Sequence, residues 1–325
     1  MKKAIVPISI IVVIFVFVII KSCGSETTER KARRNIPQPT KLVENSVLPD
    51  TDGNDITIIG TPDTEQDTPS ANMEEKSLDL AKIMDSRPEQ ILIRKGYSTS
   101  YNKETKCPNW VAWCLTSGHT DGPFPRKGVP YYSNDGRVEG IGYVTQETCR
   151  NGYFVDLEAN EPRQQLSDWT RDYNMSHGHM CPAGDNKWDK AAMNQSFLLT
   201  NMCPQDEKLN GGAWKKLEEK CRTWANLYGN IYIVAGPVFN ETKTRTLGEG
   251  RIAVPDAFFK VVLCLEGTPK AIGFLYKNDS SSQSIKDCVC SVDSVEELTG
   301  FDFFNSLPDD IEDVVESDAN LAKWN

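Results

Sequence analysis

Between Met175 and Arg222 the chain reads MSHGHMCPAGDNKWDKAAMNQSFLLTNMCPQDEKLNGGAWKKLEEKCR. Two of its three histidines, His177 and His179, open this segment with a single glycine between them. Asn201 and Asn210 follow, and then a charged stretch carrying Glu218 and Arg222. A histidine beside a glycine can take a proton from water near its reference pKa of about 6.5. An amide oxygen and a carboxylate suit a hard cation. These are parts for activating water beside a metal ion.

Two elements must position them. Trp214, Leu217, Cys221, Trp224 and Tyr228 recur at three and four residues, so 213–228 is expected to be a helix with one apolar stripe. Asn210, Trp214, Glu218 and Arg222 lie at successive i+4 steps on its N-terminal extension, along one ridge. The plain alternative makes Asn210 an N-cap and Glu218–Arg222 a surface i,i+4 ion pair. Ser176 to Met180 precedes Pro182 and reads as a strand end or bend. Extended, it turns His177 and His179 to the same face, so geometry alone does not choose between them.

Around this segment the pattern is mostly β. Short strands are expected at 90–93 and 96–101, and a strand apolar on both faces, hence central, at 109–115. A buried strand at 230–239 ends in Gly236-Pro237, and 258–265 with 270–276 forms an antiparallel pair across Glu266-Gly267-Thr268-Pro269. A short helix is expected at 294–300, closed by Gly300. Residues 118–142 carry turn chemistry without a period, and 163–173 fits a loop or short helix leading into the site. Adjacent strands with helices between only some of them argue α+β, an antiparallel sheet core with flanking helices.

The N-terminus has a different logic. Met1-Lys2-Lys3 precedes seventeen uncharged residues, Ala4 to Ile20, and then Ser22-Cys23-Gly24. This is the layout of a secretory signal at 1–22, and it resembles a bacterial lipoprotein cleavage site with Cys23 as the lipidated residue, although Lys21 departs from that pattern. An uncleaved anchor helix is the alternative. Either way the rest is expected outside the cytoplasm, membrane-anchored. Residues 23–86 are rich in Thr, Ser, Pro, Asp and Glu and read as a disordered tether. Residues 87–325 are then one domain.

Net charge is −10, but the acid is uneven. Ser291 to Asp318 holds ten Asp or Glu and no Lys or Arg, whereas Arg171 to Arg222 carries eight Lys or Arg against seven Asp or Glu. The global charge therefore does not exclude a phosphate ligand. Ten cysteines in an exported chain permit disulfides, and removing Cys23 leaves nine, so at least one stays free or pairs between chains. The cysteine and histidine spacings are not those of a zinc finger.

The central motifs resemble the DNA/RNA non-specific endonucleases of the ββα-metal type, the endonuclease G-like nucleases. Their pattern is D-R-G-H, then N-x-x-P-Q, L-N-x-x-x-W and L-E-x-x-x-R. Here these stand as Ser176-His177-Gly178-His179, Asn201 to Gln205, Leu209-Asn210 to Trp214, and Leu217-Glu218 to Arg222. The likeness extends from Asn109 to Phe304 and covers most of 88–310.

The resemblance implies a ββα-metal finger and a metal-dependent endonuclease acting on DNA and RNA. It implies His179 as general base, Asn210 as the direct protein ligand of Mg²⁺ (Mn²⁺ substituting), and Glu218 as a carboxylate holding a water of that ion. Arg222 becomes the charge stabiliser and Asn201 a support for the site. Two positions depart, Ser176 for the family Asp and His177 for the family Arg, and the second removes a cation near the phosphate. The rival of the same fold is an inactive nucleic-acid-binding envelope lipoprotein. A homodimer is compatible with the sequence and not required by it.

Overall fold

The computed structural model describes residues 80–169, 174–239 and 244–324. The expected signal at 1–22 and the expected tether up to Asp79 lie outside them. In chain order the strands are Ala81–Ile83 (β1), Gln90–Ile93 (β2), Ser98–Asn102 (β3) and Cys107–Thr116 (β4). Two-residue strands Cys149–Arg150 (β5) and Tyr153–Phe154 (β6) follow, then Met175–His179 (β7) and Met202–Asp206 (β8). The C-terminal half adds Asn230–Val238 (β9), Arg245–Leu247 (β10), Ile252–Val254 (β11), Ala257–Cys264 (β12), Lys270–Lys277 (β13), Val289–Cys290 (β14) and Phe301–Phe303 (β15). The α-helices longer than four residues are Lys190–Gln195 (α1), Lys215–Tyr228 (α2), Val292–Thr299 (α3) and Asp309–Glu316 (α4).

Seven strands make the central sheet in the order β14-β13-β12-β9-β4-β3-β2, every neighbouring pair antiparallel. Strand alternation separates two cores. Val111, Trp113, Ile233, Phe258, Val262 and Phe274 turn to the face covered by α2 through Leu217, Cys221 and Trp224. Trp110, Ala112, Val234, Phe259, Val261 and Leu263 turn to the other face, covered by Val292 and Val295 of α3, Val315 of α4, and Phe301 and Phe303 of β15. β4 and β9 are covered on both sides, which is why their sequences are apolar runs rather than alternations. The architecture is α+β, as the pattern of strands implies.

Three expectations are corrected. β1 pairs with β15, Ala81 opposite Phe303, and Leu80 and Ala81 are buried, so folded structure begins ahead of the expected boundary at 87. A polar neighbourhood hides such a strand, because its partner is more than two hundred residues away. Second, the helical path begins before Ala213. It runs through a turn at Glu207–Leu209 and a π-turn at Asn210–Trp214 into α2. Asp206 is the cap, its Oδ1 accepting from the backbone N–H groups of Lys208 and Leu209, so Asn210 is not an N-cap. Third, the nine cysteines of the described residues are all free thiols.

The stretch without a period, 118–142, contributes short 3₁₀ turns at Ser117–His119 and Arg126–Gly128. With β6 and α1 it closes over a separate small core of Val138, Phe154, Met193, Phe197 and Leu198. Of 163–173, residues Leu166–Asp168 form a 3₁₀ turn, and 170–173 lie outside the described residues.

Candidate active site

β7 and β8 form a two-stranded ribbon with His177 opposite Pro204 and His179 opposite Met202. Gly178 is required between the histidines, since a Cβ there would meet Gln205 Cβ at 2.5 Å and the Cys203 carbonyl at 3.0 Å. His179 is 7 % exposed, its ring meets Phe197 edge-on at 5.0 Å, and its carbonyl accepts from Trp214 Nε1 at 3.4 Å. Its Nε2 has no hydrogen-bond partner among the described residues. Burial, with Arg126 and His177 adding, pulls its pKa down to about 3. His177 is stacked between Tyr153 (4.0 Å between ring centres) and Trp169 (3.8 Å). Burial, then Arg150 and Arg126, lower it to about 4. Both imidazoles are therefore neutral at pH 7, and His177 does not stand in for the family arginine as a cation.

The helix supplies the remaining groups. Asn210 Nδ2 donates to Ser176 Oγ at 2.8 Å, and Ser176 Oγ donates to the Gln205 carbonyl at 3.1 Å. Ser176, the departure from the family pattern, thus ties the amide to the ribbon and leaves the Asn210 oxygen free of that bond. The π-turn at Asn210–Trp214 is the kind of local distortion often found at functional sites. It lets Trp214 turn fully inward while Asn210 stays at the surface of the cleft.

Glu218 and Arg222 are not paired with each other in the way a surface i,i+4 pair would be. Arg222 Nη1 instead meets Asp185 Oδ1 at 2.8 Å, and Asp185 Oδ2 accepts from Trp113 Nε1 at 3.2 Å. Gly184 lies so close that a Cβ would stand 2.9 Å from Arg222 Nη1. Burial pushes the Glu218 carboxyl up to about 7, with Lys260 the main group pulling it back. Lys260 is fully buried, 4.5 Å above the Trp214 ring, and its Nζ has no hydrogen-bond partner among the described residues.

Ser176, His177, His179, Asn210, Glu218 and Arg222 line one open cleft of 1120 Å³. Arg126, Arg150, Lys187 and Lys215 line it too, so the wall is basic although the chain is acidic. Arg126 and Arg150 supply the cationic character that the motif lost at His177.

Asn201 is the exception among the expected site residues. It is fully buried and is not in the cleft wall. Its Oδ1 accepts from Cys181 N–H at 2.9 Å, and its Nδ2 donates to the carbonyls of Cys181 (2.9 Å) and Ser196 (2.8 Å). These bonds hold the chain just after His179.

Several contributors were not anticipated. Arg126, Arg150, Tyr153 and Trp169 sit on loops and two-residue strands, where no period marks them. Asp185 carried no more signal than its nearness to the histidines. Lys260 did carry one: it is the single charge inside the apolar run Ala257 to Cys264.

A mitochondrial nuclease EXOG from Xenopus laevis is 28 % identical over 66 % of this chain, which spans 58 % of that protein's length. Nuclease C1 from Cunninghamella echinulata is 33 % identical over 66 % of this chain and 83 % of its own length. Among solved structures, a chain from an EndoG/EndoGI complex superposes with a TM-score of 0.58 at 21 % identity, covering 76 % of this chain and 96 % of that one, a likeness of fold. The family model for DNA/RNA non-specific endonucleases matches residues 80–310, and the chain belongs to that family.

Proposed function

We propose that the protein is a metal-dependent endonuclease that hydrolyses phosphodiester bonds of DNA and of RNA. The observation that carries this reading is the unpartnered Nε2 of His179, a buried neutral imidazole nitrogen in the wall of a basic cleft. Such a nitrogen costs stability unless it has a task, and accepting a proton from water is the task its chemistry suits. The Trp214 indole fixes the backbone at His179, and Phe197 packs against its ring. Asp185 takes one Nη of Arg222, leaving other guanidinium donors for anionic oxygens. The arginines and lysines of the cleft hold the nucleic-acid backbone by charge.

The residues fit a hard divalent cation, Mg²⁺ with Mn²⁺ as a substitute. Asn210 has committed its amide hydrogen to Ser176 and keeps its oxygen, and Glu218 offers a half-buried carboxyl whose pKa desolvation raises to about 7 against the pull of Lys260. Asn210 and Glu218 would hold the ion, which when bound supplies positive charge beside the phosphate.

The same reading has the enzyme outside the cytoplasm, tethered to a membrane through the residues that precede Leu80. The support is the uncharged run Ala4 to Ile20 ahead of Cys23. Labelling with a radioactive fatty acid tests this: Cys23→Ala is expected to block incorporation, and an unlabelled wild type of full precursor mass would establish a spanning anchor instead.

The test of the activity is incubation of the full chain with plasmid and with RNA, with and without EDTA. Cleavage that EDTA abolishes and Mg²⁺ restores is expected. Binding without cleavage would select the inactive nucleic-acid-binding lipoprotein, and neither would leave the fold as a scaffold only.

A further inference from the structure

On the sheet face opposite α2, three carboxyls converge. Asp293 and Glu296 stand at i and i+3 on α3, and Glu316 ends α4. One carboxylate oxygen from each lies within 4.8 Å of the other two. The core imposes this crowding. Val292 and Val295 on α3 and Val315 on α4 are buried in one cluster with Phe259, Phe301 and Phe303. The helices cannot separate to relieve repulsion without opening that cluster.

Glu316 is 6 % exposed, and its Oε1 is enclosed with no hydrogen-bond partner among the described residues. Leaving a buried carboxylate oxygen without a donor is costly, more so when its neighbours are also acidic. Its pKa is raised by burial first, and then by Glu296, Glu312, Asp293 and Asp302. The sequence offers no compensation nearby in the chain, since Ser291 to Asp318 contains ten acids and no Lys or Arg. Glu296 is already oriented, its Oε1 accepting from the Phe303 N–H at 2.7 Å. Asp293 is exposed, Glu296 half-buried and Glu316 buried.

We propose that Asp293, Glu296 and Glu316 form a second, structural cation site that takes Ca²⁺ and clamps α3 to α4. Ca²⁺ suits it better than Mg²⁺. Ca²⁺ takes roughly six to eight oxygens at about 2.3–2.6 Å in flexible geometry, bidentate carboxylates included, whereas Mg²⁺ demands a near-ideal octahedron and keeps its waters. The three carboxyls need to close by only about an ångström or two for their oxygens to share one such ion. The site lies on the other face of the sheet from the cleft and does not depend on the nuclease reading.

The experiment is thermal unfolding of the full chain in EDTA and in millimolar CaCl₂, with calorimetric titration of CaCl₂ alongside. For the wild type a rise in Tm on the order of 5–10 °C is expected at Ca²⁺ near a hundredfold over Kd. Glu316→Gln is expected to be at least as stable as the wild type in EDTA and to lose the Ca²⁺ response. Asp293→Asn, at an exposed position, is expected to weaken it at least tenfold in Kd. Asn210→Ala, in the cleft, is expected to keep it. No Ca²⁺ response in the wild type overturns the site, as does a response that survives Glu316→Gln or disappears in Asn210→Ala.

Discussion

Replacing Asn201 with alanine is expected to cost stability first, and activity only as a consequence. The side chain makes three hydrogen bonds in a fully buried place, to the N–H and the carbonyl of Cys181 and to the carbonyl of Ser196. Alanine leaves three backbone groups without those partners, each worth about 1–3 kcal/mol when buried. Partial relaxation and water entry reduce the sum, so a loss of about 3–5 kcal/mol is expected, a large share of the roughly 5–15 kcal/mol of a typical domain. Urea unfolding of wild type and Asn201→Ala gives the difference. Single-turnover cleavage, measured where both remain folded, gives the chemistry. Because Met180 and Cys181 follow His179 directly, a moderate fall in rate, of about tenfold, is expected from misplacement of the imidazole. A variant with wild-type stability and a rate down by four orders of magnitude would refute this reasoning and make Asn201 catalytic.

Ser176→Ala removes the acceptor of the Asn210 amide; it is expected to raise the Mg²⁺ concentration for half-maximal cleavage about tenfold with little change at saturation, and a metal titration of the rate checks it. Burial and acidic neighbours raise Glu316 to about 9 and Glu296 to about 7, so the folded protein holds protons that the unfolded chain releases. In EDTA, stability is therefore expected to fall as pH rises from 7 to 9, by up to ~1 kcal/mol per pH unit, and Glu316→Gln is expected to flatten this. His177 and His179 act in the opposite sense, because their lowered values destabilise the fold only as pH drops below about 6.5. Above pH 7 both are neutral folded and unfolded, but the buried thiols, raised by burial, act in the same direction as the carboxyls near pH 9, so the difference between wild type and Glu316→Gln at pH 7 and 8 isolates this carboxyl.

The sheet could be read from the chain because its interior strands are unbroken apolar runs between turns. Gln90–Ile93 stands as expected, β9 and β13 differ from expectation by a residue at one end, and β12 is shifted by one residue. The stripe on α2 was equally plain, since Leu217, Cys221 and Trp224 all face the sheet. The π-turn at Asn210–Trp214 was not. It ends at Trp214, whose indole donates to the His179 carbonyl, a contact thirty-five residues apart in the chain that no local period records.

The cleft divides in the same way. His179, Asn210, Glu218 and Arg222 stand in spaced motifs on a ribbon and a helix, so their types and intervals announce them. The cations that complete the wall, Arg126 and Arg150, come from segments whose path is set by packing on Phe154 and Phe197 rather than by local preference. Asn201 was visible as a motif residue, but only its three buried bonds separate holding the chain from meeting a substrate.

Catalysis turns on which histidine takes the proton. His177 lies between two aromatic rings, whereas His179 is buried with a free Nε2 in the cleft wall. A positioned general base is worth roughly 10²–10⁴-fold in rate, and a stacked neutral ring less. Single-turnover cleavage at saturating Mg²⁺ and pH 7 should be compared for wild type, His179→Ala and His177→Ala. His179→Ala is expected to lose at least about two orders of magnitude with substrate affinity little changed, and His177→Ala to be milder. A dead His177→Ala beside a His179→Ala that keeps most of its rate would contradict the assignment.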